Sequence, residues 1–338
     1  MNESNTPKPK LRWYQFRLRT LLFFVLIVGM GLGLLGQQIL RIRNEIKARA
    51  ELVKLGAKIE FYQQEYWNEL PIPDRWLWKC FGDSPVCFVA LDGTQANVKH
   101  LEELTCLQSI FFFGTDVTDA SLEHLNELTG LKGLLFRNTQ ITDSGLKNLK
   151  ELTNLELLDL DGTQVTDAGL EILTELTNLQ HLGLQGTQVT DAGLENLKGL
   201  SSLQAIDLNN TQVTDVGLEH LKGLTNLQDL DLKDTQVTDT GLKHLKELTN
   251  LQSLIISGTQ VTDVGLENLK GLSSLQVLNL NGTQITDAGL KHLKGLTNLE
   301  WLHLNETQVT YAGIDKLQRA LPKCRIYKNY CCYRIPDE

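Results

Sequence analysis

Residues 155–178 read LELLDLDGTQVTDAGLEILTELTN, and this 24-residue stretch decides the fold. Leu158 and Leu160 alternate with residues that point to the other face, which is typical of a short strand with one face buried. Between residues 170 and 176 leucines recur at helical spacing instead. One strand and one helix of this size cannot close a hydrophobic core, so the unit must stack on copies of itself.

Those copies follow one another along most of the chain, and seven of them carry TQVTD or TQITD without a gap. A divergent copy has its equivalent threonine at Thr94, 21 residues before Thr115. Within the unit, Thr166 is a candidate helix N-cap, and Asp167 lies in the first turn, where a carboxylate suits the helix dipole. Stacked units predict an α/β solenoid with parallel strands on a concave side and helices outside. The repeated threonine is Thr115, Thr139, Thr163, Thr187, Thr211, Thr235, Thr259, Thr283 and Thr307.

The unit L-x-x-L-x-L-x-x-T-Q-V-T-D-x-G-L resembles the leucine-rich repeat family, in particular its 24-residue and cysteine-containing subtypes, whose helix opens with T-D-x-G-L. The resemblance covers residues 84–321 and implies a horseshoe-shaped solenoid. In the family the ninth position is commonly Asn or Cys, which bonds loop backbone between neighbouring units. Thr163 and its equivalents hold that position here, and a hydroxyl that both donates and accepts is expected to do the same.

The residues before the repeats differ in composition, since residues 1–60 carry 11 Lys and Arg against 4 Asp and Glu, while the rest carries 21 against 37. From Thr20 to Leu40 no residue is charged, and a helix of about 20 residues crosses a hydrocarbon layer of about 30 Å. A cleaved signal peptide is the alternative, but no small-x-small cleavage site follows Gly36 at the right distance. We therefore expect an uncleaved single-pass anchor.

The positive-inside rule does not decide the membrane orientation, because five basic residues lie on each side of the apolar segment. A short tail before a single span favours a signal anchor with the repeats outside the cytoplasm. A cytoplasm-facing adaptor is the alternative. The arrangement as a whole resembles membrane-anchored bacterial leucine-rich repeat proteins. The expected organisation is a basic tail (1–19), a transmembrane anchor (20–40), a juxtamembrane helix and N-terminal cap (41–83), the repeats (84–321) and a C-terminal cap (322–338).

Cysteines gather in the two predicted caps, where an extracytoplasmic location makes disulfides plausible and reduced thiols are the alternative. No C-x-x-C or paired Cys/His spacing points to a metal site. Five of the seven histidines share one column of the helices, which is expected of duplicated units on a solvated face. The cap cysteines are Cys80, Cys87, Cys324, Cys331 and Cys332.

No catalytic motif is present, neither G-x-S-x-G nor H-E-x-x-H nor a P-loop, so we expect no enzyme and no cofactor. The acidic body disfavours nucleic acid, whose binding depends on cations against phosphates. A stacked solenoid instead displays variable strand residues on a rigid concave lattice. The expected function is a membrane-anchored scaffold that binds a protein or peptide on the concave face, with a carbohydrate receptor as the alternative.

Three zones of the concave face are candidate binding surfaces. An apolar group near the first units is either a binding patch or a surface covered by the N-terminal cap: Phe111, Phe113, Leu135 and Leu157. A central acidic group around a single Lys233 either binds a basic partner or is a hydrophilic face that opposes aggregation: Asp159, Asp161, Asp207, Asp229, Asp231 and Asp234. A polar and aromatic set near the last units suits a peptide or a sugar: Trp301, His303, Asn281 and Asn305.

Overall fold

The strands of consecutive units lie side by side in a single sheet, in the order of the sequence. A computed structural model describes residues 47, 58–62, 86–92, 101, 107–113, 117–329 and 331–333. The strands are β1 Lys58–Tyr62, β2 Val86–Asp92, β3 Leu107–Phe113, β4 Gly133–Leu135, β5 Leu157–Asp159, β6 His181–Gly183, β7 Ala205–Asp207, β8 Asp229–Asp231, β9 Ser253–Ile255, β10 Val277–Asn279, β11 Trp301–His303, β12 Arg325–Lys328 and β13 Cys331–Tyr333.

The sheet is parallel from β2 to β12, and the antiparallel strands β1 and β13 lie at its two edges. From β4 to β11 the register repeats with the sequence period, since Leu158 pairs with Leu182 and Leu278 with Leu302. The parallel order continues into β12, where Leu302 pairs with Ile326 inside the segment predicted as the C-terminal cap. The predicted parallel solenoid sheet is therefore confirmed for the repeats.

Short helices return the chain from one strand to the next, and several begin after the predicted threonine cap. The Thr166 hydroxyl accepts a hydrogen bond from the Ala168 N–H at 3.3 Å, and Thr142, Thr190 and Thr214 cap in the same way. The α-helices are α1 Asp143–Leu146, α2 Asp191–Leu194, α3 Asp215–Leu221 and α4 Tyr311–Ala320. Tighter 3₁₀ turns occupy Asp119–Leu122, Leu125–Glu127, Lys147–Leu149, Asp167–Glu175, Glu195–Leu197, Gly241–Glu247, Gly265–Leu269 and Gly289–His292.

One hydrophobic core runs the length of the solenoid between the sheet and these helices, from Val89 to Ile326. Leu158 and Leu160 contribute from the strand side and are fully buried, as the alternating pattern predicted. Leu170 and Leu176 contribute from the helix side and are equally buried. Each unit thus closes its core only against its neighbours, which is why the period must be kept along the stack.

The aspartate of T-D-x-G-L makes side-chain bonds to the next unit, whereas the ninth-position threonine bonds within its own unit. The Thr163 hydroxyl donates to the Leu160 carbonyl at 2.6 Å, within its own turn. The expectation that this threonine joins neighbouring units is therefore wrong, because the turn brings the nearer carbonyl into reach. Asp143 instead binds the next unit, accepting from the Thr166 N–H at 2.8 Å and from its hydroxyl at 2.7 Å.

Several predictions concern residues that lie outside those described. The predicted span Thr20–Leu40, the basic tail and most of the juxtamembrane segment are among them. In the described part of the chain, no helix combines the length and the apolar character needed to cross a bilayer. Cys324 is buried in the core, whereas the side chains of the other five cysteines fall outside the described set.

Candidate functional site

The concave face is formed by the first and third residues of each short strand, because the middle residue points into the core. In β7, for example, Ile206 is fully buried in the core and Asp207 lies half-buried on the opposite face. The parallel register then aligns equivalent residues of successive units in columns, with neighbouring strands about 4.8 Å apart. The predicted binding residues fall into these columns.

The apolar zone near the first units is not an open surface at two of its four positions. Leu135 is 1% exposed and Leu157 is 2% exposed. Phe111 is half-buried, and the side chain of Phe113 lies outside the described residues. An open binding patch at Leu135 and Leu157 is therefore excluded, and this zone is left out of the candidate site.

The first two aspartates of the acidic zone are buried against an arginine from the preceding unit. The Arg137 Nε donates to the Asp159 Oδ2 at 2.5 Å, and its Nη2 lies 3.5 Å from the Asp161 Oδ2. Asp161 also accepts from the Gln185 N–H at 2.9 Å. Asp159 and Asp161 are only 2% and 8% exposed, so they form an internal ion-pair network and not the displayed surface that was predicted.

Gly183 makes room for this network in the next strand. A Cβ atom at Gly183 would lie 2.8 Å from the Asp161 Oδ1 and 3.1 Å from the Asp159 Oδ1. Any larger residue there would displace one of the two carboxylates. The glycine therefore belongs to the acidic zone, although glycine carries no chemical signal of its own in the sequence.

The prediction of Asp229 as a displayed residue is also wrong, because this first residue of β8 is 5% exposed. His181, in the same column two strands earlier, is fully buried. Side chains in this column from β5 to β9 are covered, whereas those of Val277 and Trp301 in β10 and β11 are half-buried. The accessible part of the face therefore lies in the third-residue column and toward the last units.

Asp207 and Asp231 remain as the accessible acidic pair. They lie in register on the adjacent strands β7 and β8, and both are half-buried. The Oδ1 of Asp207 accepts from the Asn209 N–H at 2.9 Å, and the Oδ1 of Asp231 accepts from the Lys233 N–H at 2.8 Å. These turns hold both carboxylates in place on the concave face.

Burial and mutual repulsion make ionisation of this group costly. Burial is the main cause that raises the pKa of Asp207 to about 7, with the charge of Asp231 as the second cause. Burial likewise raises the pKa of Asp231. Burial, with the charges of Asp159 and Asp207, raises the pKa of Asp161 to about 8, against the opposing effect of Arg137. Lys233, predicted to face the whole acidic group, instead lies 3.7 Å from the exposed Asp234.

Aromatic and amide side chains line the face near the last units. The rings of His303 and Tyr327 stack with centroids 4.8 Å apart at an interplanar angle of 9°. Trp301 is half-buried beside them in β11, and burial lowers the pKa of His303. Asn305 is 6% exposed, so of the predicted set Trp301, His303 and Asn281 are the residues that remain accessible.

Two residues that matter to the site were not among the predicted site residues. Arg137 precedes Asp161 by one full period, so the 24-residue spacing places the two residues in one column, just after the neighbouring strands β4 and β5. Tyr327 is likewise 24 residues after His303, but it lies beyond the last recognisable copy of the unit. The partner of Asp161 thus follows from the period within the repeats, whereas Tyr327 is found only by extending the period beyond them.

Comparison with known proteins agrees with the repeat architecture. Residues 177–237 and 249–309 match a family model described as leucine rich repeat, and residues 151–173 match a second model of the same description. No curated protein matches the chain significantly.

Two similar solved structures are internalins of Listeria monocytogenes. Internalin C2 is 30% identical, over 67% of this chain and 83% of that one, with a TM-score of 0.45. Internalin F is 22% identical, over 72% and 86%, with a TM-score of 0.40.

Leucine-rich repeats are in general protein-interaction scaffolds without enzymatic activity, and their extended concave surfaces are what such scaffolds use. The matched segments contain strands β5 to β11. From the matched models and the 24-residue unit, we conclude that this chain belongs to the leucine-rich repeat family.

Proposed function

We propose that this chain is a scaffold that binds a protein or peptide partner on its concave face, with a basic side chain of the partner over Asp207 and Asp231. The observation that carries the proposal is the in-register acidic pair on β7 and β8, half-buried and held by backbone hydrogen bonds. A preorganised pair of this kind loses little side-chain entropy when a partner binds.

The electrostatics of the pair favour a cationic partner. Burial raises the pKa of both Asp207 and Asp231, and the charge of Asp231 raises that of Asp207 further. A lysine or arginine placed over the two carboxylates would offset their repulsion. Its N–H groups would also replace the hydrogen bonds to water that the carboxylates lose when the partner binds. The same complementarity predicts faster association at low ionic strength.

A carbohydrate ligand is the second candidate, favoured by the stacked His303 and Tyr327 beside Trp301. Flat aromatic side chains next to amide groups suit the apolar faces and hydroxyls of a sugar ring. Asn279 and Asn281 provide those amides in the preceding strand and its following turn.

The decisive experiment compares proteins captured by the immobilised full-length chain with those captured by Asp207→Asn/Asp231→Asn. A matched control, Glu195→Gln/Glu267→Gln, removes two negative charges from exposed positions on the helix side. We expect a partner that the parent and the control retain and the aspartate variant loses, with weaker capture as salt increases. Identical capture by all three chains across a salt series would exclude the acidic pair as the binding site.

We also propose that residues 20–40 anchor the chain as an uncleaved single span, with the repeats outside the cytoplasm. The support is the uncharged run between Arg19 and Arg41 without a cleavage site. The full-length chain should stay in the membrane fraction through alkaline carbonate washing, with its N-terminus intact. Recovery of a soluble form that begins after Gly36 would exclude the anchor. Disulfides among the cap cysteines would favour the extracytoplasmic orientation over the cytoplasmic adaptor.

A further inference from the structure

Beyond the acidic pair, the chemical type of the concave side chains changes from one strand to the next. Ile255 in β9, Val277 in β10 and Trp301 in β11 place half-buried apolar side chains on the concave side. Arg325, the first residue of β12, pairs in register with Trp301 and is exposed. With the acidic pair, these side chains give an acidic, an apolar and a basic position in order from β7 to β12, beside the polar and aromatic Asn279, His303 and Tyr327.

We propose that the partner presents an extended segment of matching order, with a basic side chain over Asp207 and Asp231, apolar side chains over Val277 and Trp301, and an acidic side chain at Arg325. This inference rests on the proposed function, since it uses the same acidic pair, and it adds the chemistry and spacing of the partner segment.

The charges at the far end support an acidic group there. The concave strand positions described from β9 to β12 contain no carboxylate, and Glu300 and Glu306 lie in the segments before and after β11. No ion pair joins Arg325 to another described residue.

The side-chain amides of Asn279 and Asn281, which lie between the acidic pair and Arg325, present hydrogen-bond donors. The Oδ1 of Asn279 accepts from the Asn281 N–H at 3.0 Å, and the Oδ1 of Asn281 accepts from the Asn305 N–H at 2.7 Å. With both carbonyl oxygens engaged, the NH₂ groups of these amides are the parts left for a partner. They suit backbone carbonyls of an extended chain.

The spacing of the two charged ends sets the length of the segment. From β8 to β12 there are four steps between neighbouring strands, which at about 4.8 Å each gives about 19 Å. An extended chain rises about 3.3 Å per residue, so the basic and acidic residues of the partner should be separated by about five to seven positions. Either chain direction satisfies this condition.

The test is a selection from a random decapeptide library on the full-length chain, with the peptides acetylated and amidated so that only side chains carry charge. We expect enriched peptides to pair Lys or Arg with Asp or Glu five to seven residues apart, with apolar residues between. Arg325→Gln should reduce the enrichment of the acidic residue at least fivefold and keep the basic one. Arg325→Glu should select a second basic residue in its place.

Two controls separate this inference from the proposed function. Arg319→Gln removes an exposed arginine from helix α4 and should leave the selection unchanged. Asp207→Asn/Asp231→Asn should remove the basic preference and keep the acidic one. A parent chain that selects basic residues without an acidic residue at this spacing overturns the inference and leaves the proposed function standing. A parent chain without any preference for basic residues overturns both.

Discussion

The Asp191 carboxylate binds Thr214 of the following unit with both of its oxygens. Oδ1 accepts from the Thr214 N–H at 2.7 Å, and Oδ2 accepts from the Thr214 hydroxyl at 2.6 Å. The same pair of bonds repeats from Asp119 with Thr142 to Asp287 with Thr310. Gly217 of the following unit lies directly against Asp191, since a Cβ there would be 2.4 Å from Oδ1. The phrase T-D-x-G-L thus encodes a contact between units.

This contact predicts an energetic coupling between Asp191 and Gly217. Asp191→Ala should cost about 1–3 kcal/mol, because the Thr214 N–H loses its acceptor. Gly217→Ala should cost a similar amount in the parent through the clash, and at least about 1 kcal/mol less in the Asp191→Ala background. Urea unfolding of the four full-length chains followed by circular dichroism measures the cycle.

Gly223 provides the matched control for that cycle, since nothing lies within 4 Å of the position of its Cβ atom. Gly223→Ala should change the free energy of unfolding by less than about 0.5 kcal/mol. If Gly217→Ala costs the same with and without the Asp191 carboxylate, the close approach does not explain the glycine.

Core truncation should be expensive at any strand of the stack. Leu208 is fully buried, so Leu208→Ala should lower the free energy of unfolding by about 2–5 kcal/mol through lost burial and the cavity left behind. Val216 is 62% exposed in the same unit, and Val216→Ala should stay within about 0.5 kcal/mol of the parent. Comparable losses for the two variants in urea unfolding would contradict the assigned core.

Removal of one whole unit should leave a folded, shorter solenoid. Deletion of Leu179 to Ser202 brings β5 beside β7, and Asp167 then faces Thr214, which is equivalent to its present partner Thr190. Deletion of residues 179–190 removes half a period and puts polar residues into the core. Circular dichroism spectra and melting curves should separate the two deletions clearly, and similar melting of both would refute the stacked-unit architecture.

The acidic pair predicts stability that falls as the pH rises. Burial and Asp231 raise the pKa of Asp207 from 3.8 to about 7, so the folded chain holds a proton there that the unfolded chain has released. The contribution of this proton to the free energy of unfolding is fully present below about pH 4 and is lost as the pH rises through about 7. Asp207→Asn should therefore stabilise the chain by about 1–2 kcal/mol at pH 8, after allowance for partial exposure, and change little at pH 4.

Urea unfolding at a series of pH values measures this difference, with Glu195→Gln as the control. Glu195 is fully exposed, and its pKa is lowered by the hydrogen bond and charge of Lys198, so the control should not reproduce the gain at high pH. An Asp207→Asn variant whose stability tracks the parent at every pH would show that Asp207 titrates as an ordinary surface carboxylate.

The period and pattern of the sequence by themselves determined the parallel sheet, the threonine caps and the buried leucines such as Leu158 and Leu170, because alternation and helical spacing report which face of an element meets its neighbours. They also placed Asp207 and Asp231 side by side on the concave face. Only the tertiary structure decided that Asp159 and Asp161 are buried against Arg137, and that the aspartate of T-D-x-G-L binds the next unit. The physical reason is that these interactions join residues about one period apart in sequence, and their strength depends on which side chains of the two neighbouring units meet across a few ångströms.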